Sequence, residues 1–398
     1  MKKIGSLCVL FIAFLVNVTA QDKLVSEKPI PIIAWADIPA GEINIERFNE
    51  LKEMGVNVNL SNYQNADAMQ KALDLAQRAG IRMITSCPEL KTDAEKTVKR
   101  FMDHPALAGY FLQDEPVRKD FAELGVLAKK IEAIDSKHFC FVNLIASIHT
   151  TNTAALGTSS YAEYVNTFAK EVPSKFLSFD FYPVLVDVVH DRWYEGLEIF
   201  SAEARKLDKP FWAFALASSY NQLHPIPTLG ALRLQLYSDL AYGAQGLEYW
   251  AYWMSQGLRN APIGLDGKRT MTYDKIKEVN KEIQNLAGVF MGSKVASVTH
   301  TGTVIPRGTS RLEHLPDAIK VFETDEPGAL VSTLENRGNT FFVVVNRDLK
   351  KNLSITILGD ETLKKVLKDG SIVPAKACAN TIEIEPGDIA VYMFPTKK

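Results

Sequence analysis

The feature that most constrains this chain is a rhythm. From about residue 30, a short β-branched or aromatic run, a polar loop and an amphipathic helical stretch recur in turn. The strand-like runs are 30–38, 56–63, 82–87, 108–113, 139–145, 176–184, 211–218 and 246–253. The helical stretches that follow them are 45–54, 68–79, 93–102, 121–134, 161–170, 194–207, 229–242 and 273–289. Gly55, Gly80 and Gly243 stand directly after helical stretches, where helix C-caps belong, and Thr92-Asp93-Ala94-Glu95 has the spacing of a capping box. Eight β and eight α units over some 260 residues predict an α/β fold, a (β/α)8 TIM barrel across 30–290. A doubly wound open sheet is the competing arrangement, and the chain lacks the Gly-x-Gly-x-x-Gly turn expected after its first strand.

From 291 to 398 the pattern changes. Segments 329–334, 340–345, 353–358 and 389–394 are β-branched and aromatic, with Gly, Asp and Asn between them, and predict a small all-β sandwich. At the other end, Lys2 and Lys3 precede an apolar run over 7–16, and Val18-Thr19-Ala20 offers small residues before Gln21. Residues 1–20 are therefore expected to be a Sec-type signal peptide, cleaved after Ala20, of a secreted or periplasmic protein of bacterial type. Cys8 lies too early to be a lipid-anchor cysteine, and no later stretch approaches the roughly 18 apolar residues of a membrane span.

A formal net charge of -2 gives no electrostatic footprint for nucleic acid or an anionic membrane surface, so neither is expected as a partner. Cys87, Cys140 and Cys378 are odd in number and widely spaced, which argues for buried free thiols over a disulfide framework. There is no Cys-x-x-Cys or His-Glu-x-x-His spacing, and His149, His190 and His224 fall in three loops and read as solvated. No metal or cofactor is expected.

In a barrel of this kind chemistry collects where strands end. Strand 4 runs Gly109-Tyr110-Phe111-Leu112-Gln113-Asp114-Glu115-Pro116, so two acids close an apolar run. An acid before a proline can also cap the following helix, but a cap needs one acid and here there are two. Asp114 and Glu115 are thus the candidate catalytic pair. The other exits carry Asp37 with Trp35, Asn62, Asn143, Asp180 with Tyr182, and Trp250 and Trp253. Carboxylates and amides for hydroxyls, with aromatic faces for pyranose C–H groups, suit an oligosaccharide or polysaccharide, and these residues are the candidate substrate contacts. One tryptophan of the two suffices to face the cleft. Glu248 lies early in strand 8, hence deep, and is expected to be a buried ion-pair partner.

His104-Pro105-Ala106-Leu107-Ala108-Gly109-Tyr110-Phe111 leading into Asp114-Glu115-Pro116 resembles strand 4 of secreted (β/α)8 glycoside hydrolases, and Asp180-Phe181-Tyr182-Pro183 on strand 6 and Gly264-Leu265-Asp266-Gly267-Lys268-Arg269-Thr270 leading into the last helix resemble the same enzymes. The resemblance is to clan A enzymes of the β-galactosidase family 42 kind and covers most of 30–290. It implies an O-glycoside hydrolase with Glu115 as general acid/base. The clan's strand-7 nucleophile is missing, because strand 7 reads Phe211-Trp212-Ala213-Phe214-Ala215-Leu216-Ala217-Ser218-Ser219. Three readings stay open. The consecutive Asp-Glu also resembles hexosaminidases of families 20 and 123, which implies attack by the substrate's 2-acetamido group, oriented by Asp114. Both acids then reach the ligand only if the strand ends or bulges there, since neighbours on a strand point to opposite faces. Alternatively Asp180, Asp37 or Glu248 supplies the nucleophile or base, or the barrel binds glycan without turnover.

Overall fold

The computed structural model describes residues 22–146, 153–255 and 257–397; the expected signal peptide and His149 lie outside them. Eight parallel strands close into a barrel in chain order. They are β1 (Ile32–Trp35), β2 (Val58–Asn62), β3 (Arg82–Ser86), β4 (Leu107–Asp114), β5 (Phe139–Leu144), β6 (Leu177–Asp180), β7 (Phe211–Leu216) and β8 (Gly246–Trp250). Closure is through β1 and β8, with Ile32 opposite Leu247. Around them run α1 (Ile45–Glu53), α2 (Ala66–Ala79), α3 (Ala94–Phe101), α4 (Phe121–Ile134), α5 (Tyr161–Glu171), α6 (Trp193–Lys206), α7 (Leu229–Ala241) and α8 (Met271–Asn285).

The barrel is a packed core and not a pore. Ile33, Leu60, Ile84, Phe111, Phe141 and Phe214 fill its interior. At its N-terminal end Phe176 stacks on Trp212 with ring centroids 3.7 Å apart. That plug leaves no room beside it: a Cβ on Gly246 would lie 2.7 Å from the Trp212 ring. Alternate strand residues point outward and meet helix stripes such as Met69, Ala72, Leu73 and Ala76 of α2, spaced three and four apart. With the floor plugged, the opposite mouth is where a ligand can enter.

Some local expectations need correction. Thr92 closes a short helical turn, Glu89–Thr92, so the capping box does not form; Asp93 caps α3 instead, accepting the Lys96 N–H at 3.3 Å. Strands 6 and 8 are shorter than their apolar runs. Past Asp180 and Trp250 the backbone finds local partners, Val184 pairing with Val189 and Trp253 bridging to Ile263.

The C-terminal strands are β9 (Lys294–His300), β10 (Ile319–Thr324), β11 (Ala329–Asn336), β12 (Asn339–Asn346), β13 (Leu353–Gly359), β14 (Lys364–Val366), β15 (Ile372–Pro374), β16 (Thr381–Ile384) and β17 (Ile389–Pro395). They form an antiparallel six-stranded sheet, β9-β11-β12-β17-β14-β15, and a three-stranded sheet, β10-β13-β16. Phe342, Val344, Ile355 and Tyr392 pack between them as a sandwich core. The larger sheet covers α7, whose residues from Ala231 to Ala241 are all buried, and Ser332 Oγ donates to the Ala241 carbonyl at 2.7 Å. A helix enclosed on every side has no solvent face to set against an apolar one, which is why α7 has almost no amphipathic stripe and buries Arg233, Gln235, Ser238 and Asp239 among its leucines. Cys87 and Cys140 are buried free thiols, and Cys378 is a half-buried one. Among the described residues no helix is long and apolar enough to cross a membrane.

Candidate active site

The strand-4 acids owe their placement to a fault in the sheet. Phe111 lies opposite Phe141 on β5, but Gln113 lies opposite Val142, so Leu112 is an extra residue and β4 bulges just before its tip. Asp114 then pairs with Asn143. Glu115 turns into the left-handed region at φ 43°, its N–H donating to the Asn143 carbonyl at 2.9 Å. A β-chain would send neighbours to opposite faces; bulge and turn together bring both carboxyls to one cavity. Left-handed backbone costs a non-glycine residue free energy, and such strain concentrates at functional sites. Neither acid caps α4. Asp120 lies next to that helix and accepts the Val117 N–H at 2.9 Å.

The cavity, about 640 Å³, opens at the C-terminal mouth of the barrel. Trp35, Asp37, Asn143, Asp180, Tyr182 and Trp250 line it together with the two strand-4 acids. Tyr182 stacks on Trp250 at 5.5 Å, and Tyr220 stands edge-on to Trp250 at 5.2 Å, which makes one wall aromatic. Asp37 also has left-handed backbone, φ 38°, and its oxygens accept the Trp35 Nε1–H at 2.6 Å and the Asn62 N–H at 3.3 Å.

A polar chain runs beneath the acids. Asn143 Nδ2 donates to Asp114 Oδ1 at 3.1 Å, Asn143 Oδ1 lies 3.1 Å from Ser178 Oγ, and Ser178 Oγ lies 2.7 Å from Glu248 Oε1. Ser178 has one proton, and Asn143 Oδ1 can only accept. The chain is satisfied throughout when Glu248 carries a proton and donates to Ser178. Burial, chiefly, pushes the Glu248 carboxyl well above the usual range, and Asp180 and Asp114 add to this. The expected ion pair is therefore absent. Glu248 is fully buried without a cation, its Oε2 has no partner among the described residues, and it reads as a neutral acid.

The other acids at the mouth are also pushed up. Burial raises Glu115, and the charge of Asp114 raises it further; the Asp180 carboxyl, placed to bond to it, opposes this. Burial also raises Asp180 well above the usual range, with Glu115 and Asp114 adding to it, and Asp180 Oδ1 lacks a partner. Asp114 and Asp37 are raised by burial against their hydrogen bonds. Two carboxyls in contact titrate as a pair and hold a proton to higher pH than either would alone.

Of the residues expected at the site, Asp37, Asp114, Glu115, Asn143, Asp180, Tyr182 and Trp250 gather in the cavity, and Asn62 and Trp253 do not. Asn62 contributes only its backbone N–H, and its side chain is exposed. Trp253 lies past the end of β8, nearly buried beneath the Arg47 guanidinium, 4.9 Å from the ring centroid. His190 and His224, expected to be solvated, line the cavity, as do Tyr220, Asn221 and Leu223. These come from loops after β6 and β7, where no periodicity marks a residue as inward. Among the described residues no cluster of His, Cys, Asp and Glu has a metal-binding arrangement.

No family model and no curated sequence matches the chain. Among solved structures it is similar to a β-galactosidase from the Antarctic haloarchaeon Halorubrum lacusprofundi, at 12% identity and TM-score 0.49. That match covers 66% of this chain and 59% of the other, so the chain spans less than two thirds of the β-galactosidase. It is also similar to an endo-1,4-β-mannanase from Rhizomucor miehei, at 12% identity and TM-score 0.43, over 67% of this chain and 98% of that one. The likeness is one of fold.

Proposed function

We propose that the protein is an exported glycoside hydrolase in which Glu115 is the general acid and then the general base. The observation that carries this reading is a cluster of acids at the barrel mouth, in an aromatic-walled cavity, that forms no ion pair among the described residues. Buried acids without cations cost stability, and a site that keeps them has a use for their protons or their charge. Sugar hydroxyls supply the missing donors, and Trp250 and Tyr182 offer ring faces for the C–H side of a pyranose. Glu115 gives its proton to the glycosidic oxygen as the C–O bond breaks, and as a carboxylate it takes a proton from the incoming water. A raised pKa keeps that proton in place near neutral pH.

In the Glu115→Gln variant, hydrolysis of an unactivated alkyl glycoside should fall about 10²–10⁴-fold, the usual worth of a general acid. A 4-nitrophenyl glycoside, whose leaving group needs no proton, should lose much less in bond cleavage. Circular dichroism should be unchanged. Full activity of the variant on the alkyl glycoside rules the assignment out. Tight binding of glycans with no turnover across a broad glycoside panel points to the binding barrel instead.

One observation favours substrate assistance as the source of the nucleophile. β7 carries no carboxylate, and Asp180 leans on Glu115 where a retaining pair stands about 5–5.5 Å apart. An attacking 2-acetamido group removes the need for a protein nucleophile. Asp114, held by Asn143, is then the group that orients the acetamido N–H. A thiazoline inhibitor should bind tightly and glycosides lacking the 2-acetamido group should be inert; cleavage of a plain galactoside excludes this route.

A further inference from the structure

Eleven large apolar side chains are exposed among the described residues, and five of them, Val186, Val188, Tyr220, Leu223 and Ile226, lie on two loops beside the cleft. The first loop is a hairpin, Val184–Leu185 with Val188–Val189, that follows β6; the second follows β7 and carries Leu223 and Ile226. They are joined: the Val186 N–H donates to the Leu223 carbonyl at 2.9 Å, and His224 Nδ1 meets the Val184 carbonyl at 3.0 Å. Lys350 of the sandwich holds Asp187 at the hairpin tip, 2.5 Å away. The apolar groups are thus presented on a braced structure, half or more of Val186, Val188, Leu223 and Ile226 being exposed (53–60%).

The patch is continuous with the site. Leu185 and Leu223 line the same cavity as Glu115. The Glu115 carboxyl leans towards Asp180 on β6, the strand from which the hairpin springs. The group carried by a leaving-group oxygen bonded to Glu115 can reach these loops, because Leu185 and Leu223 line the same cavity. Asn221 Oδ1 is engaged in its own turn, accepting the Leu223 N–H at 2.7 Å. A hydrocarbon laid along the loops loses water against four aliphatic side chains, Val186, Val188, Leu223 and Ile226.

Resting on the hydrolase reading, we propose that these two loops form a binding lip for an apolar aglycone, so that the preferred substrates are glycosides of hydrocarbon alcohols. A methylene covered on one side gains roughly half of full burial, about a twofold gain in binding. Contact that persists from ground state to transition state lowers KM and leaves kcat nearly fixed.

The test is a ladder of methyl, butyl, hexyl and octyl glycosides, kept below their micelle concentrations, with glucoside, galactoside and N-acetylglucosaminide heads. For the head that is cleaved, kcat/KM should climb at least about tenfold from methyl to octyl, almost wholly through KM. In a Val186→Ser/Ile226→Ser double variant the octyl-to-methyl ratio should fall to about two or below. The same ladder is read as equilibrium affinity by tryptophan fluorescence on the Glu115→Gln protein, where no turnover is needed. A flat ladder in affinity, or a ratio unmoved in the double variant, overturns the lip. Affinity that climbs with chain length while no glycoside is hydrolysed upholds the lip and overturns the hydrolase. Climbing affinity for alkyl chains without any head preference, together with retention on phosphatidylcholine vesicles, makes the patch a lipid-surface contact and also overturns the proposal.

Discussion

The barrel mouth and the face where the barrel meets the sandwich both bury acids, and among the described residues only those at the interface meet cations. At the interface, Arg233 of α7 reaches Glu282 at 2.5 Å and Glu385 at 2.8 Å, and Lys368 reaches Asp388 at 2.5 Å and Glu282 at 3.2 Å. Burial alone would raise Glu282, but the bond from Arg233 and the nearby Lys368 outweigh it and hold that carboxyl below its ordinary value. At the mouth no cation does this, and Asp37, Asp114, Glu115, Asp180 and Glu248 are all raised. Compensation at the interface is partial, since burial still holds Asp388 above its ordinary value against the bond from Lys368, and burial alone raises Asp239 of α7. The mouth is left uncompensated, and what it lacks is what a substrate brings.

That contrast makes its largest demand on Arg233. In Arg233→Met the interface acids lose their main partner while an apolar side chain of similar length keeps the packing. Breaking a buried pair on one side costs about 3 kcal/mol or more. Chemical denaturation should show a loss of that size, and kcat on a cleaved glycoside should stay unchanged, since Arg233 does not line the cavity. A stability loss under about 1 kcal/mol would mean the interface is held by the apolar packing around α7 alone.

The mouth should answer in the opposite direction. Glutamine at Glu248 offers Ser178 the N–H that the protonated acid offers it now. The folded pKa of Glu248 is raised, so between about pH 4, where the unfolded carboxyl titrates, and its folded pKa the native state holds the extra proton. Stability is then full below that window and falls as pH rises through it. Glu248→Gln removes this dependence. It should match the parent near pH 4 and be the more stable of the two at pH 7, read from urea midpoints across that range. A variant less stable than the parent at pH 7 would show that Glu248 is ionised and satisfied, which breaks the comparison.

These two regions were also unequally legible. The barrel rhythm declared itself because each strand and helix repeats a local period, and α4 begins and ends where its pattern does. The strand-4 acids were legible because charge at the end of an apolar run has no place in a core. The bulge at Leu112 was foreseen only as a condition, since one extra residue in a strand leaves no mark in its own sequence. The lip and the two cleft histidines were not legible at all, because loops after β6 and β7 are positioned by distant contacts such as Lys350 with Asp187. Glu248 reads in the sequence as an ion-pair partner and has no cation in the fold, because depth is visible in a strand and the nature of its neighbours is not. Arg233 carried no signal for the same reason: Glu282, Glu385 and Asp388 lie far away in sequence.

The smallest expected effect separates the two roles open to Asp114. Its charge stands second to burial in raising Glu115. Asparagine there keeps an oxygen for Asn143 Nδ2 and removes the charge. If Asp114 acts only as a charged neighbour, Glu115 gives up its proton at lower pH in Asp114→Asn. The alkaline limb of kcat/KM should then move to lower pH, with kcat on the acid side of the limb within a few-fold of the parent. An orienting role predicts a second change, a large fall in kcat confined to substrates with a 2-acetamido group, because an amide no longer steadies the developing positive charge. A limb that moves to higher pH contradicts both, since removing a negative neighbour cannot make a carboxyl hold its proton more tightly. A limb that does not move would mean that Asp114 is already neutral when Glu115 titrates, and that the proton at the barrel mouth resides on Asp114.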